Sequence, residues 1–188
     1  MRYATLAWLL VSLLLLGGCA AAVVAGAGAG VMAAEDRRTV ATMTEDESIE
    51  VKTLQRVSEK VPGNVHLNVT SYNRMVLLTG EVPNDNARKE VERIAMSVEN
   101  VRGVTNELTV GAPTTLSSRA NDSYVTSKVK ARFVDVSRFN PLHVKVVTEN
   151  STVFLLGLVK RQEAKDATDI ARTTEGVRKV ITVFEYLD

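Results

Sequence analysis

The sequence predicts an α+β fold of two tandem α-β-β-α-β units, each a three-stranded mixed sheet covered by two helices. Three observations carry that expectation. The body of the chain is an internal duplication: His66–Gly80 overlays His143–Gly157 at a constant offset, with Val69/Val146, Asn73/Asn150, Val76/Val153 and Leu78/Leu155 coinciding. Within each copy, hydrophobic spacing switches from helical to alternating and back. Each copy also closes on a β-rich run after a Val-Arg pair, Val101-Arg102 and Val177-Arg178.

In the first unit, Val51, Leu54, Val57 and Val61 recur at helical spacing over 48–61, and Pro62-Gly63 stops that helix. Val65 to Thr70 alternates as a half-buried strand does. Ser71-Tyr72-Asn73-Arg74 is turn chemistry, and Met75 to Leu78 is the returning strand, with Gly80 at its exit. Pro83-Asn84-Asp85 opens an amphipathic helix running to about Glu99, with Ala87, Val91, Ile94, Ala95 and Val98 on one side. Val104 to Val110 is the last strand. The second unit repeats the order: helix 123–135 with Asp122-Ser123 as its cap, strands 143–148 and 152–158, helix 161–174 and strand 178–187. A hairpin followed by a helical crossover makes the first pairing antiparallel and the second parallel.

The leader is a separate matter. Met1-Arg2 precedes an apolar run from Ala4 to Leu16 that is too short to span a bilayer alone. It ends in Leu16-Gly17-Gly18-Cys19, and Cys19 is the sole cysteine. Small residues ahead of a cysteine resemble the lipobox of bacterial lipoproteins. That resemblance implies cleavage before Cys19, a thioether-linked diacylglycerol on its sulfur and an acyl group on the new amino terminus. One acyl chain anchors only marginally, whereas two or three hold a protein on a membrane. Ala20 stands where inner-membrane lipoproteins often carry aspartate, so the implied destination is the outer membrane, facing the periplasm. The chain then divides into a signal peptide (1–18), a lipidated Ala/Gly-rich linker (19–45), a first unit (46–112), a linker (113–121) and a second unit (122–188).

The runs Val76-Leu77-Leu78-Thr79-Gly80-Glu81-Val82 and Val153-Phe154-Leu155-Leu156-Gly157-Leu158-Val159, with the closing runs from Glu99 and Glu175, resemble the BON domain, a bacterial envelope module. The likeness covers nearly all of 46–188. With the lipobox, it is similar to dual BON-domain outer-membrane lipoproteins, which bind anionic phospholipid and support envelope integrity and cell division. One departure is the turn glycine, which shifts from Gly103 in the first copy to Gly176 in the second.

Composition narrows the function further. A net charge of +1 gives no general argument for nucleic acid, and with Cys19 taken by lipid no disulfide staples the body. There is no HExxH, CxxC, GxSxG or phosphate-cradling motif, so no catalytic residue and no cofactor is expected. His66 and His143 occupy matching places, but two histidines without carboxylates at suitable spacing make no metal site, and none is expected. Gly80 and Gly157 are read as giving backbone freedom at the exit of a strand.

The first helix of the second unit holds the candidate binding site. Val125, Val129 and Phe133 form a stripe sufficient for packing on the sheet, and Tyr124, Lys128 and Arg132 form a neighbouring stripe of one aromatic and two cations. Related proteins touch phospholipid with this helix, so the resemblance implies an anionic-phospholipid site comprising Tyr124, Val125, Lys128, Val129, Arg132 and Phe133. The matching first-unit helix is mixed in sign. Residues 121–188 carry 11 basic and 9 acidic side chains against 8 and 8 over 48–111, which favours the second unit for an anionic surface. The expected partners are an anionic phospholipid membrane and outer-membrane assembly or division proteins. The competing expectation is a chaperone-like or protein-interaction factor for outer-membrane assembly, and a passive scaffold is a third.

Overall fold

The computed structural model describes residues 35–188, and Arg37–Asp188 forms one compact body holding both repeats. The leader, Cys19 and most of the 19–45 linker lie outside the described residues.

The first repeat comprises α1 (Val40–Lys60), β1 (His66–Tyr72), β2 (Met75–Val82), α2 (Asp85–Met96), β3 (Gly103–Asn106) and β4 (Thr109–Val110). The second comprises α3 (Leu116–Val136), a 3₁₀ turn (Pro141–His143), β5 (Val144–Glu149), β6 (Thr152–Val159), α4 (Arg161–Arg172) and β7 (Lys179–Tyr186). β1 pairs antiparallel with β2, and β3 and β4 run parallel to β2. β5, β6 and β7 repeat that order.

Both leading helices begin about two turns earlier than hydrophobic spacing indicates. Thr39 and Thr115 are their N-caps, each hydroxyl accepting a backbone N–H three residues on, at 3.1 and 3.2 Å. Asp122 therefore caps nothing. It sits inside α3, buried, and its carboxylate accepts the N–H groups of Asn150 and Ser151 at 2.9 and 2.8 Å. Asp46 on α1 does the same for Asn73 and Arg74, at 2.9 and 2.7 Å. Those four turn residues all have positive φ, the form that two-residue hairpin loops require. For Arg74 and Ser151 this backbone form is costly, and a buried carboxylate holds it in place.

The single closing strand expected over 104–110 is broken in two. Leu108 turns into the core, its N–H accepted by the Asn106 side chain at 3.1 Å, and β4 resumes the pairing.

Each repeat packs its helices on one face of its sheet. Ile49, Val57, Val76, Leu78, Val91 and Ile94 centre the first core, and Val129, Phe133, Val153, Leu155, Ala167 and Ile170 the second. The remaining faces of the two sheets meet in a third cluster of Tyr72, Leu77, Phe154 and Leu156, flanked by Val147, Leu158, Ile181 and Val183. β2 and β6 are consequently buried on both faces, which accounts for their near-continuous apolar runs. The two-layer units thus share a sheet-on-sheet centre.

Gly80 and Gly157 lie inside β2 and β6, not at the strand exits. A Cβ on Gly157 would come within 2.4 Å of the His143 carbonyl oxygen, and one on Gly80 within 2.1 Å of the His66 carbonyl oxygen. Only Gly80 has a positive φ, +115°. Close approach of the chain entering β5, at the His143 carbonyl, rather than backbone freedom, explains Gly157.

Candidate membrane-facing helix and interdomain cleft

α3 carries all six residues expected to touch phospholipid, and the fold separates them. Val125, Val129 and Phe133 are 1%, 0% and 0% exposed, within the second core, with Phe133 edge-on to Phe139 at 5.0 Å between ring centroids. The packing stripe read from their spacing is where they belong, and no headgroup can reach them. Arg132 is also engaged internally: its guanidinium donates to the Ile170 carbonyl at 2.9 Å and to the Thr173 and Thr174 hydroxyls at 3.1 and 2.9 Å. It thereby satisfies carbonyl and hydroxyl acceptors at the C-terminal end of α4. Lys128 pairs with the exposed Glu175 at 2.7 Å, which holds that carboxyl below its usual range, and its ammonium lies 5.3 Å from the Tyr124 ring. Of the six, Tyr124 alone stands well out from the surface, 63% exposed.

Tyr124 belongs to a line that the sequence reading missed. Leu116, Ala120, Tyr124, Ala131 and Val134 succeed one another on the outward side of α3, all exposed, with Ser127 and Lys130 beside them. Leu116 and Val134 are 82% and 62% exposed. The helix is thus apolar on two opposite sides; α1 also exposes Val40, Val51 and Leu54, without an aromatic, whereas α4 is polar outside and α2 is so up to Met96. The steps of three, four and seven residues were a readable signal, obscured because the helix was taken to start at 123.

A second site lies between the repeats. A cleft of about 530 Å³ is lined by His66, Asn68, Arg119, Ser123, Thr126 and Glu149, among others. His66 and Glu81 face each other across the β1–β2 pairing, with Nδ1 2.8 Å from Oε2. Glu81 also accepts the Thr114 N–H at 3.1 Å. Glu149, from the other repeat, accepts from the Asn68 amide at 2.7 Å and more weakly from the Thr79 hydroxyl at 3.4 Å. Burial raises the Glu149 carboxyl above its ordinary value, and the Asn68 hydrogen bond partly opposes the rise. The expectation that the histidines lack carboxylate support is therefore corrected: the fold supplies acids that sequence spacing conceals. His143 likewise meets Glu163, at 3.4 Å. There Arg37 makes two hydrogen bonds to the same carboxylate, at 2.6 and 2.8 Å, and depresses it to about 2.

Comparison with known proteins agrees with this architecture. The BON domain model matches twice, over residues 45–112 and 121–188. The chain is 40% identical over 185 residues to the outer membrane lipoprotein DolP of Haemophilus influenzae, covering 97% of this chain and 96% of the relative. It is 32% identical over 154 residues to a 21 kDa hemolysin of Actinobacillus pleuropneumoniae, covering 81% and 79% of the two chains. It is 31% identical over 117 residues to the osmotically-inducible protein Y of Escherichia coli, covering 61% and 58%. None of the three is named as an enzyme. The chain belongs to the BON-domain family, as a dual-domain outer-membrane lipoprotein. Among the described residues no helix is long and apolar enough to cross a membrane.

Proposed function

We propose that this protein is a non-enzymatic, periplasm-facing lipoprotein, tethered through Cys19, that binds anionic phospholipid through the outward side of α3 and so supports envelope integrity and cell division. The observation that supports this reading is the exposed line Leu116, Tyr124, Val134 on a helix whose opposite side already fills the core. Side chains of this kind enter the headgroup–acyl boundary, with aromatic rings suited to its polar edge. Lys130 stands beside them, and the surface pair of Lys128 with Glu175 is worth little in water and is open to exchange for a phosphate. Each cation near an anionic leaflet contributes about 1 kcal/mol. Such binding is weak alone, and an acyl tether compensates by keeping the helix at high local concentration.

Vesicle flotation of an unlipidated 35–188 fragment tests the headgroup contact, comparing anionic with zwitterionic vesicles at low and high salt. The expected result is binding to anionic vesicles alone, weakened by salt, and reduced several-fold by Tyr124→Ala with Val134→Ser at an unchanged melting temperature. Binding to neither vesicle type would leave the anchor as the whole membrane attachment, and equal binding to both would overturn anionic headgroup recognition in favour of a charge-independent membrane contact. Fractionation of Cys19→Ala tests the anchor separately. An unprocessed, mislocalised precursor is expected, and normal outer-membrane recovery would refute the lipobox assignment.

A further inference from the structure

We infer that His66, Glu81 and Glu149 form a binding site for a first-row divalent metal ion, of the zinc type, that joins the two BON repeats. One ligand atom from each residue can be chosen such that all three lie within 4.8 Å of one another. Two of the ligands are placed by the β1–β2 register, which sets His66 directly opposite Glu81. The third comes from the end of β5 and reaches the others only because the two sheets pack back to back.

Two further observations point to a cation. The first is charge. Glu81 and Glu149 are 5% and 8% exposed, and among the described residues neither is paired with a lysine or arginine. Arg119, on the same cleft wall, gives its Nη2 hydrogen bond to the Thr114 carbonyl. Two buried carboxylates brought together without a cation repel one another and lose hydration. A divalent ion cancels both charges at once. The second is support. Glu149 is held by Asn68 and Thr79 and Glu81 by the Thr114 N–H, the outer contacts that orient ligands in metal sites. Both hydrogen bonds to Glu149 fall on Oε2.

The donor set selects the ion. An imidazole with two carboxylates suits zinc and its neighbours, whereas calcium takes six to eight oxygens. Three protein ligands complete a tetrahedron with one water, and the cleft of about 530 Å³ gives that water and the ion a way in. The ion takes the place between His66 Nδ1 and Glu81 Oε2, now 2.8 Å apart, and any proton shared there leaves to solvent. The second repeat has no counterpart: Leu158 occupies the place of Glu81, and the Glu163 carboxylate beside His143 is already held by Arg37.

Zinc titration of the full-length chain in detergent, followed by calorimetry, is the test. One zinc per chain is expected, with the melting temperature raised by zinc and restored by a chelator, and with calcium having no such effect. Glu149→Gln and His66→Gln, chosen as near-isosteric changes, should each weaken zinc binding at least about tenfold, and His143→Gln should leave it unchanged. Absence of stoichiometric zinc binding to the wild-type chain would overturn the proposal whatever the variants do. Equal weakening by His143→Gln and His66→Gln would also overturn it, by marking the binding as general surface histidine affinity. A cobalt(II) complex of the wild-type chain adds a measurement independent of mutation: intense tetrahedral absorption supports the site, and a weak octahedral spectrum opposes it.

Discussion

The two repeats agree where the fold needs them to agree and part where their surfaces meet other things. Both place a buried aspartate from the leading helix under the hairpin turn, both bring a glycine against the carbonyl of a histidine, and both cover one sheet face with two helices. They differ in what surrounds each histidine, and although both leading helices expose aliphatic side chains (Val40, Val51 and Leu54 on α1, Leu116 and Val134 on α3), only α3 adds an exposed aromatic, Tyr124. His66 faces two buried acids in an interdomain cleft, while His143 faces one acid already taken by an arginine. Features that survive duplication in both copies report on stability, and those found in one copy are where a function particular to that copy is to be sought.

The aspartates give the largest expected effects and compare the copies directly. Asp46 holds two turn N–H groups, the Ser71 hydroxyl at 2.6 Å and the Arg38 guanidinium at 2.9 Å, whereas among the described residues Asp122 holds the two N–H groups alone. Asp46→Ala breaks a buried ion pair as well as orphaning donors and should cost about 4 kcal/mol. Asp122→Ala should cost about 3 kcal/mol, from the orphaned donors. Denaturant unfolding of the two variants checks the ranking. Equal, small losses would mean that water replaces the carboxylate at both turns.

The glycines come next. Alanine at Gly80 meets both a carbonyl oxygen at 2.1 Å and an unfavourable positive φ, while alanine at Gly157 meets only the carbonyl, at 2.4 Å. Gly80→Ala should therefore lose about 3 kcal/mol and Gly157→Ala about 2 kcal/mol, read from thermal melts. If Gly157→Ala is the more damaging, neither the closer carbonyl nor the positive φ at Gly80 sets the cost, and the backbone around Gly80 yields more readily than that around Gly157.

Sequence made the unit legible because its signals are local: alternation, helical spacing, turn residues and a repeat that states each of them twice. It hid whatever depends on chain segments meeting at a distance. Asp46 and Asp122 look like surface residues near a helix start because the N-terminal turns of α1 and α3 are polar, and only the hairpin returning above them makes these positions internal. The back-to-back packing was implicit in Val76–Leu78 and Val153–Leu156, whose unbroken apolar character exceeds what one covered face requires. Of the proposed phospholipid site, α3 is the helix that the resemblance implied, and its outward side was not legible. Val125, Val129 and Phe133 announced a core stripe, and the outward line from Leu116 to Val134 appears only once the helix is extended to Thr115. The cluster of His66, Glu81 and Glu149 could not be read at all, because one of its members comes from the other repeat.

The smallest effect separates the two histidine sites by pH. Glu163 is held at about 2, chiefly by the Arg37 hydrogen bonds, with Lys160 N–H and His143 adding to the depression. A depressed carboxyl contributes stability above its ordinary value of 4.5 and loses it as pH falls toward about 2. With solvent screening at this partly exposed pair, that contribution is about 1 kcal/mol. Glu149 is shifted the opposite way by burial, so its ionised form opposes folding, and stability from this group declines as pH rises through its elevated value. Glu163→Gln should therefore lower stability at neutral pH and flatten the acid limb between 4.5 and 2, whereas Glu149→Gln should raise metal-free stability at neutral pH and leave that limb in place. Urea unfolding in chelator across that range distinguishes them. If the two variants give the same pH profile, the carboxylates beside the histidines do not differ in the way that their burial and partners require.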